Sequence, residues 1–305
     1  MATATPLPRR GLFKTGLALS AAVAVPALSA PAASATAYSG PSGAEDELSD
    51  LEQRYGARLG VYAHNVRTGQ VMSHRAQERF AMCSTFKAFA AAAILRGHAG
   101  CAPLDKVIHY PPRDILPNSP KTKEHVDVGM SVGELCAAAI QYSDNAAGNL
   151  LLRQIGGPRG LTRFFRSIGD PVSRLDRWET DLNTALPGDL RDTTTPEALG
   201  RSLERLTLGR ALAGADREQL VTWLKGNTTS GKRFRAGLPD GWVVADKTGT
   251  GDYASANDIG VAWTNRRTPI VLTVLSSKAT KDAPTDDGLI ADAARVVARA
   301  LAPCE

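Results

Sequence analysis

Beyond the first forty of its 305 residues the sequence has no long apolar run, so no membrane-spanning helix is expected in the mature chain. Cysteine is scarce: Cys83, Cys101, Cys136 and Cys304 are too few and too scattered for a disulfide scaffold. Cys83 and Cys136 fall in apolar helical stretches, where a thiol packs as a small hydrophobe. There is no Cys-x-x-Cys, and His64, His74, His98, His109 and His125 show no metal-ligand spacing, so neither a metal nor an organic cofactor is expected. Dense basic runs with interleaved aromatics are missing as well. The formal charge of +5 falls to +2 once Arg9, Arg10 and Lys14 are set aside with the leader, which weakens any case for a nucleic-acid partner. No internal repeat or low-complexity linker follows.

The leader itself is well marked. Arg9-Arg10-Gly11-Leu12-Phe13-Lys14 is a basic start, an alanine-rich apolar stretch runs from Thr15 to about Leu28, and small residues allow cleavage after Ala35 or Ala37. That pattern predicts a secretory signal peptide over residues 1–37, with the paired arginines pointing to twin-arginine export and a secreted product. No cysteine follows the apolar stretch to take a lipid, so no membrane anchor is expected. The 268 residues that remain suffice for one large domain or two intimate ones, and nothing in them asks for more than a monomer.

Apolar spacing then lays out the elements. Glu45–Tyr55 is an amphipathic helix, and Leu59–Asn65 and Gln70–His74 are strands joined at Thr68-Gly69. Helices follow at Ala88–Leu95, Val132–Tyr142, Ala146–Ile155, Leu161–Ile168, Pro196–Leu206 and Ala215–Leu224. Trp242–Asp246, Ile259–Trp263 and Ile270–Leu275 are strands, and Leu289–Leu301 closes the chain as a helix. The predicted fold class is α/β in the α+β sense: an antiparallel sheet flanked by terminal helices, with an all-helical domain inserted. Residues 45–80 and 226–305 make the sheet domain, residues 81–225 the helical one, and the site is expected at their interface.

Three short motifs carry the chemistry. In Ser84-Thr85-Phe86-Lys87 the serine starts an apolar helix and Lys87 follows one turn later on the same face. A lysine at the head of such a helix is costly to bury without a partner, and a desolvated amine can manage the proton of a nucleophilic hydroxyl. Ser143-Asp144-Asn145 links two helices; its side chains can cap the second one, or Ser143 can relay a proton while Asn145 orients Lys87 or a carbonyl. Lys247-Thr248-Gly249-Thr250 follows a strand. It is either a solvated Gly-rich turn or an edge whose cation and hydroxyls meet a substrate carboxylate.

In this order the three motifs resemble the class A β-lactamase family, and the match runs from about Glu45 to Leu301. The resemblance implies that Ser84 is acylated by the carbonyl of a small-molecule β-lactam, a penicillin first and cephalosporins as a second class. It implies proton handling by Lys87, Ser143 and Asn145, a carboxylate grip by Lys247, Thr248, Gly249 and Thr250, and an oxyanion hole at the backbone N–H groups of Ser84 and Thr250. Hydrolysis needs one further feature, because a D,D-peptidase or a β-lactam sensor shares the three motifs. Arg177-Trp178-Glu179 followed by Asn183 supplies it: residues four apart meet on a helical turn and can hold and deprotonate one water. Arg177 and Asp192 match the ion pair that closes this loop, and either Lys87 or Glu179 takes the serine proton. The sequence departs from common members where no arginine follows Lys247 closely; Arg233 stands where some members supply that guanidinium. Asn118 occupies a position commonly aromatic, at the site entrance.

Overall fold

The computed structural model describes residues 42–97 and 103–303. The predicted leader, Cys101 and Cys304 lie outside the described residues. Helix α1 (Ser42–Tyr55) leads into strands β1 (Arg58–Asn65) and β2 (Val71–His74). The short strand β3 (Phe80–Ala81) precedes a single 3-10 turn at Cys83–Thr85 and helix α2 (Phe86–Gly97). Short strands β4 (Val107–Ile108) and β5 (Met130–Ser131) pair with each other ahead of α3 (Val132–Gln141), α4 (Asn145–Gln154) and α5 (Gly157–Ser167). Strand β6 (Thr193–Thr194) pairs with β3, and α6 (Pro196–Thr207), α7 (Gly214–Lys225) and the single turn α8 (Phe234–Gly237) follow. The chain closes with β7 (Val243–Gly251), β8 (Ser255–Trp263), β9 (Pro269–Ser277) and α9 (Asp287–Leu301).

The main sheet is antiparallel in the order β2-β1-β9-β8-β7, so strands from the two ends of the chain pair at its centre. The α/β class with terminal helices on an antiparallel sheet is thus the fold observed. β1, β8 and β9 are buried along nearly their whole length because both faces of the sheet are covered. One face meets α1 and α9 through a cluster that includes Leu48, Leu289 and Val297. Each such side chain contributes about 1.5–3 kcal/mol on leaving water. The other face meets α6, where Gly200 lets the helix close on Tyr62.

A second cluster gathers α2 with α3 to α7. Helix α2 is apolar all round because it is surrounded, and its Phe89 ring lies 4.9 Å from that of Phe165. Two predicted boundaries move. Helix α2 begins at Phe86, so Ser84 sits in the 3-10 turn ahead of it rather than at the helix start. Strand β7 runs on through Lys247 to Gly251, where a turn was the alternative, because β8 pairs with every one of those residues. The glycines that made that stretch look like a turn serve close approach instead.

Candidate active site

Four segments converge. The turn Cys83–Thr85 and the first turn of α2 bring Ser84 and Lys87; the α3–α4 junction brings Ser143 and Asn145. The loop 174–192 brings Glu179 and Asn183, and β7 brings Lys247, Thr248, Gly249 and Thr250. A cavity of about 370 Å³ opens between them, lined by Ser84, Ser143, Asn145, Asn183, Arg233 and Thr250 among others.

Lys87 is the hub. Its side chain is fully buried, and Nζ lies 3.0 Å from Ser84 Oγ, 2.6 Å from Asn145 Oδ1 and 2.8 Å from the Ser143 carbonyl. Nζ also stands 2.9 Å from Glu179 Oε1, with both side chains shielded from solvent. A buried ammonium needs this many acceptors, since its desolvation costs several kcal/mol. Gly148 on α4 makes room for it: a Cβ there would come within 2.9 Å of Lys87 Cε.

Ser84 Oγ therefore has two groups within reach for its proton, Glu179 Oε1 at 3.4 Å and, once it has given up a proton of its own, Lys87 Nζ at 3.0 Å. Glu179 Oε2 accepts from Asn183 Nδ2 at 2.6 Å, so carboxylate and amide do come together, with Asn183 on the 3-10 turn Asp181–Thr184 and Glu179 just ahead of it rather than on the same helical turn. Asn183 Oδ1 is buried with no donor among the described residues. Its free acceptor and the Glu179 carboxylate can both address one small polar molecule.

The loop that carries Glu179 is pinned at both ends. Arg177 Nε meets Asp192 Oδ2 at 2.6 Å, and Asp192 Oδ1 accepts from the backbone N–H groups of Asp176 and Arg177 at 2.7 and 2.9 Å. The Asp192 carbonyl accepts from Met82 N at 2.8 Å, which ties the loop closure to the segment just before Ser84. Asn149 clamps Glu179 from α4: its Oδ1 accepts from Glu179 N at 2.9 Å and its Nδ2 donates to Glu179 O at 3.1 Å. Sequence reading gave Asn149 no role, although it lies four residues past Asn145 on the same helical face.

Asp144 caps α4 by accepting from Ala147 N at 2.9 Å, which leaves Ser143 and Asn145 for the cavity. Cys83 and Ser143 both hold positive φ, at 46° and 55°. Such conformations cost of order 1–3 kcal/mol in a non-glycine residue and persist where surrounding contacts enforce them. Cys83 is buried beside Glu179, and burial first, then that carboxylate, pushes its thiol up to about 12. It stays protonated and packs.

Strand β7 lies against the nucleophile's turn because Gly249 lacks a Cβ: one there would stand 3.1 Å from the Met82 carbonyl and 3.2 Å from Cys83 Cβ. Lys247 is fully buried, donating to Thr248 O at 2.7 Å and Ser143 Oγ at 3.1 Å. Burial, reinforced by the Lys87 charge, holds its ammonium well below the usual lysine range. An arriving carboxylate would offset both effects. Ser143 Oγ also stands 3.5 Å from Lys87 Nζ, so this hydroxyl bridges the two amines.

Arg233 is 6% exposed and does line the cavity. Nε meets Asp287 at 2.7 Å, Nη1 donates to the carbonyls of Gly249 and Asn257 at 2.8 and 2.7 Å, and Nη2 donates to Thr250 Oγ1 at 2.8 Å. Of the five N–H donors a guanidinium carries, one on Nη2 is left for a ligand. Asn118 lines the entrance and donates to the Ser143 carbonyl at 3.1 Å.

Behind β7, Asp258 is fully buried, with Oδ2 accepting from Phe234 N at 3.2 Å and Oδ1 without a donor. Burial first, and Asp246 beside it, hold its carboxyl well above the usual range, against the opposing charge of Arg233. The folded state therefore keeps a proton that an unfolded aspartate releases near pH 3.9. Stability owed to this group is full below that pH and declines as pH rises toward the folded value. Asp258→Asn copies the protonated form. Its melting temperature is expected to match wild type in acid and to exceed it increasingly toward neutral pH; a difference independent of pH would contradict this.

Residues 43–301 match the model of the β-lactamase enzyme family. Over 259 residues the chain is 52% identical to β-lactamase AST-1 of Nocardia asteroides, covering 85% of this chain and 84% of that one. It is 51% identical over 258 residues to the carbapenem-hydrolysing β-lactamase KPC of Klebsiella oxytoca, covering 84% and 88%. The solved class A β-lactamase representing the last common ancestor of Gram-negative bacteria superposes with a TM-score of 0.82 at 52% identity, covering 85% of this chain and 99% of that one.

Proposed function

The chain belongs to the class A β-lactamase family, a hydrolase family, and on that premise we propose that it opens penicillins through an acyl-enzyme on Ser84 that water activated by Glu179 then clears. The observation that carries this reading is the placement of Glu179, whose carboxylate reaches toward Ser84 Oγ at 3.4 Å and bonds Asn183 at 2.6 Å.

In acylation, Ser84 Oγ attacks the β-lactam carbonyl and passes its proton to Lys87 or Glu179, the two groups within reach. The backbone N–H groups of Ser84 and Thr250 receive the developing oxyanion. The C–N bond breaks, and Ser143, bridging Lys87 and Lys247, relays a proton to the departing nitrogen. Lys247, Thr248 and Thr250 hold the substrate carboxylate across the gap that Gly249 keeps narrow, and Arg233 adds its remaining donor. Asn145 fixes Lys87 at 2.6 Å.

In deacylation, Glu179 removes a proton from a water that Asn183 helps to hold. The hydroxide attacks the ester carbonyl, and Ser84 leaves with a proton restored. No cofactor is invoked in either half.

We further propose that residues 1–37 direct export and that the mature enzyme works as a secreted monomer; among the described residues no helix is long and apolar enough to cross a membrane. Cephalosporins are the second substrate class in this proposal, and the KPC resemblance makes a carbapenem the natural third comparator.

Steady-state turnover of benzylpenicillin, a cephalosporin and a carbapenem by the mature protein, run beside Ser84→Ala with intact-mass detection, tests the assignment. Wild type should give many turnovers and Ser84→Ala no adduct and a kcat lower by on the order of 10⁶. An adduct on Ser84→Ala would remove Ser84 as the nucleophile.

A further inference from the structure

Behind the loop that carries Glu179 lies a cleft of about 620 Å³, larger than the active-site cavity and sharing no lining residue with it. One wall is the loop tip at 185–191; the other is formed by the start of β1 at Arg58, the short strand Phe80–Ala81 and the end of β9 at Ser277–Ala279. The volume falls within the range that accommodates small organic ligands, roughly 300–1,000 Å³.

Two features give it a chemical character. Leu186 and Leu190 are 43% and 56% exposed, and both line this one cleft together with Phe80 and Pro187. Two leucines left in water at one concavity are an unpartnered apolar surface. The charged lining is unbalanced: Arg58, Arg79, Arg191 and Lys278 against Glu78 and Asp189. Arg58 pairs with Glu78 at 2.8 Å, Arg191 with Asp189 at 2.7 Å, and Lys278 with Asp286.

Arg79 has no carboxylate partner among the described residues. Its Nη1 donates to Thr193 Oγ1 at 3.0 Å and Val172 O at 3.3 Å, which leaves its charge uncompensated at the apolar wall.

We propose that this cleft is a second ligand site, taking a small amphiphilic anion whose head pairs with Arg79 and whose apolar body lies on the exposed Leu186, Pro187 and Leu190. The ligand class is an organic carboxylate or sulfonate with an aromatic or medium-chain body. Apolar area alone would admit neutral molecules; the unpaired guanidinium selects the anion.

The site is coupled to turnover through one stretch of backbone. Ala185 follows Asn183 by two residues, Asn183 bonds Glu179, and the Asn183 carbonyl accepts from Asp252 N at 2.8 Å. An occupant touches the loop that holds Glu179 and leaves the cavity of Ser84 open. Acting on deacylation, it therefore changes kcat for penicillin and KM with it while kcat/KM stays near its starting value, provided it favours one arrangement of the loop over another. This kinetic consequence rests on the hydrolytic role proposed for Glu179; the binding does not.

The test uses the mature protein and 1-anilinonaphthalene-8-sulfonate, an aromatic sulfonate whose fluorescence reports apolar binding, with decanoate and decanol as competitors. Saturable binding is expected, weakened about tenfold or more in Arg79→Gln and in Leu190→Asp. Decanoate should compete better than decanol, and Lys247→Ala should bind the probe as wild type does. Both cleft variants should retain penicillin turnover without the probe, which shows that they fold. Unchanged affinity in both cleft variants, or lost affinity in Lys247→Ala, would overturn the site. Equal competition by decanol would overturn the anion assignment. Binding that passes these tests while kcat stays constant would overturn the coupling alone, and absence of penicillin turnover in wild type would count against the enzymatic reading and not against the cleft.

Discussion

Glu179→Ala is expected to trap the opened penicillin on Ser84. The mass should rise by one whole penicillin, because amide opening loses no atoms, and kcat should fall by roughly 10²–10⁴, the contribution of a well-placed general base. The variant should still fold. Lys87 keeps the Asn145 oxygen at 2.6 Å, the Ser143 carbonyl at 2.8 Å and Ser84 Oγ at 3.0 Å, so its ammonium is not left bare in the interior. Acylation rate and steady-state rate should separate in this protein: a burst of one equivalent, then slow release. If the burst itself disappears, Glu179 also takes the serine proton; if the burst survives at the wild-type rate, Lys87 does. Stoichiometric acylation without turnover in wild type would replace hydrolysis with a penicillin-binding role.

Asp192→Ala should produce the largest loss of stability. Asp192 is fully buried and accepts from two backbone N–H groups and from Arg177 Nε, all within 2.9 Å. Removing one partner of a buried ion pair costs about 3–5 kcal/mol, because the other charge stays desolvated. For a domain of this size that corresponds to a melting temperature lower by on the order of 10 °C. The loop should then loosen and carry Glu179 away from Ser84, so deacylation should fail before acylation does. Calorimetry and burst kinetics on the same preparation check both halves. A melting temperature within 2 °C of wild type, outside the expected range, would show that the loop is held by its other contacts.

The two variants separate what sequence reveals from what it hides. Ser84 with Lys87, and Glu179 with Asn183, are legible because each pair is local: residues three or four apart in sequence are close enough to meet once the chain turns. The terminal strands and the helical middle are legible for the same reason, since apolar periodicity is a property of short segments.

What failed to show is long-range. Asn149 clamps Glu179 across 30 residues, and Arg233 pairs with Asp287 across 54. No local pattern announces such partners. Lys247–Gly251 shows the limit most clearly: its glycines look like a turn, and only β8 on one side and the Cys83 turn on the other reveal a strand that needs them for close approach.

The sequence by itself determined which functional groups this protein would carry and which of them stand three or four residues apart, because chain connectivity keeps such neighbours within reach. The tertiary structure alone decided that the four segments meet, that Lys87 and Lys247 lie buried where their charges act on each other and on Ser143, and that the loop of Glu179 has a second, apolar face behind it. Those are matters of burial and of contacts distant in sequence, and they exist only once the whole sheet and its helices have closed.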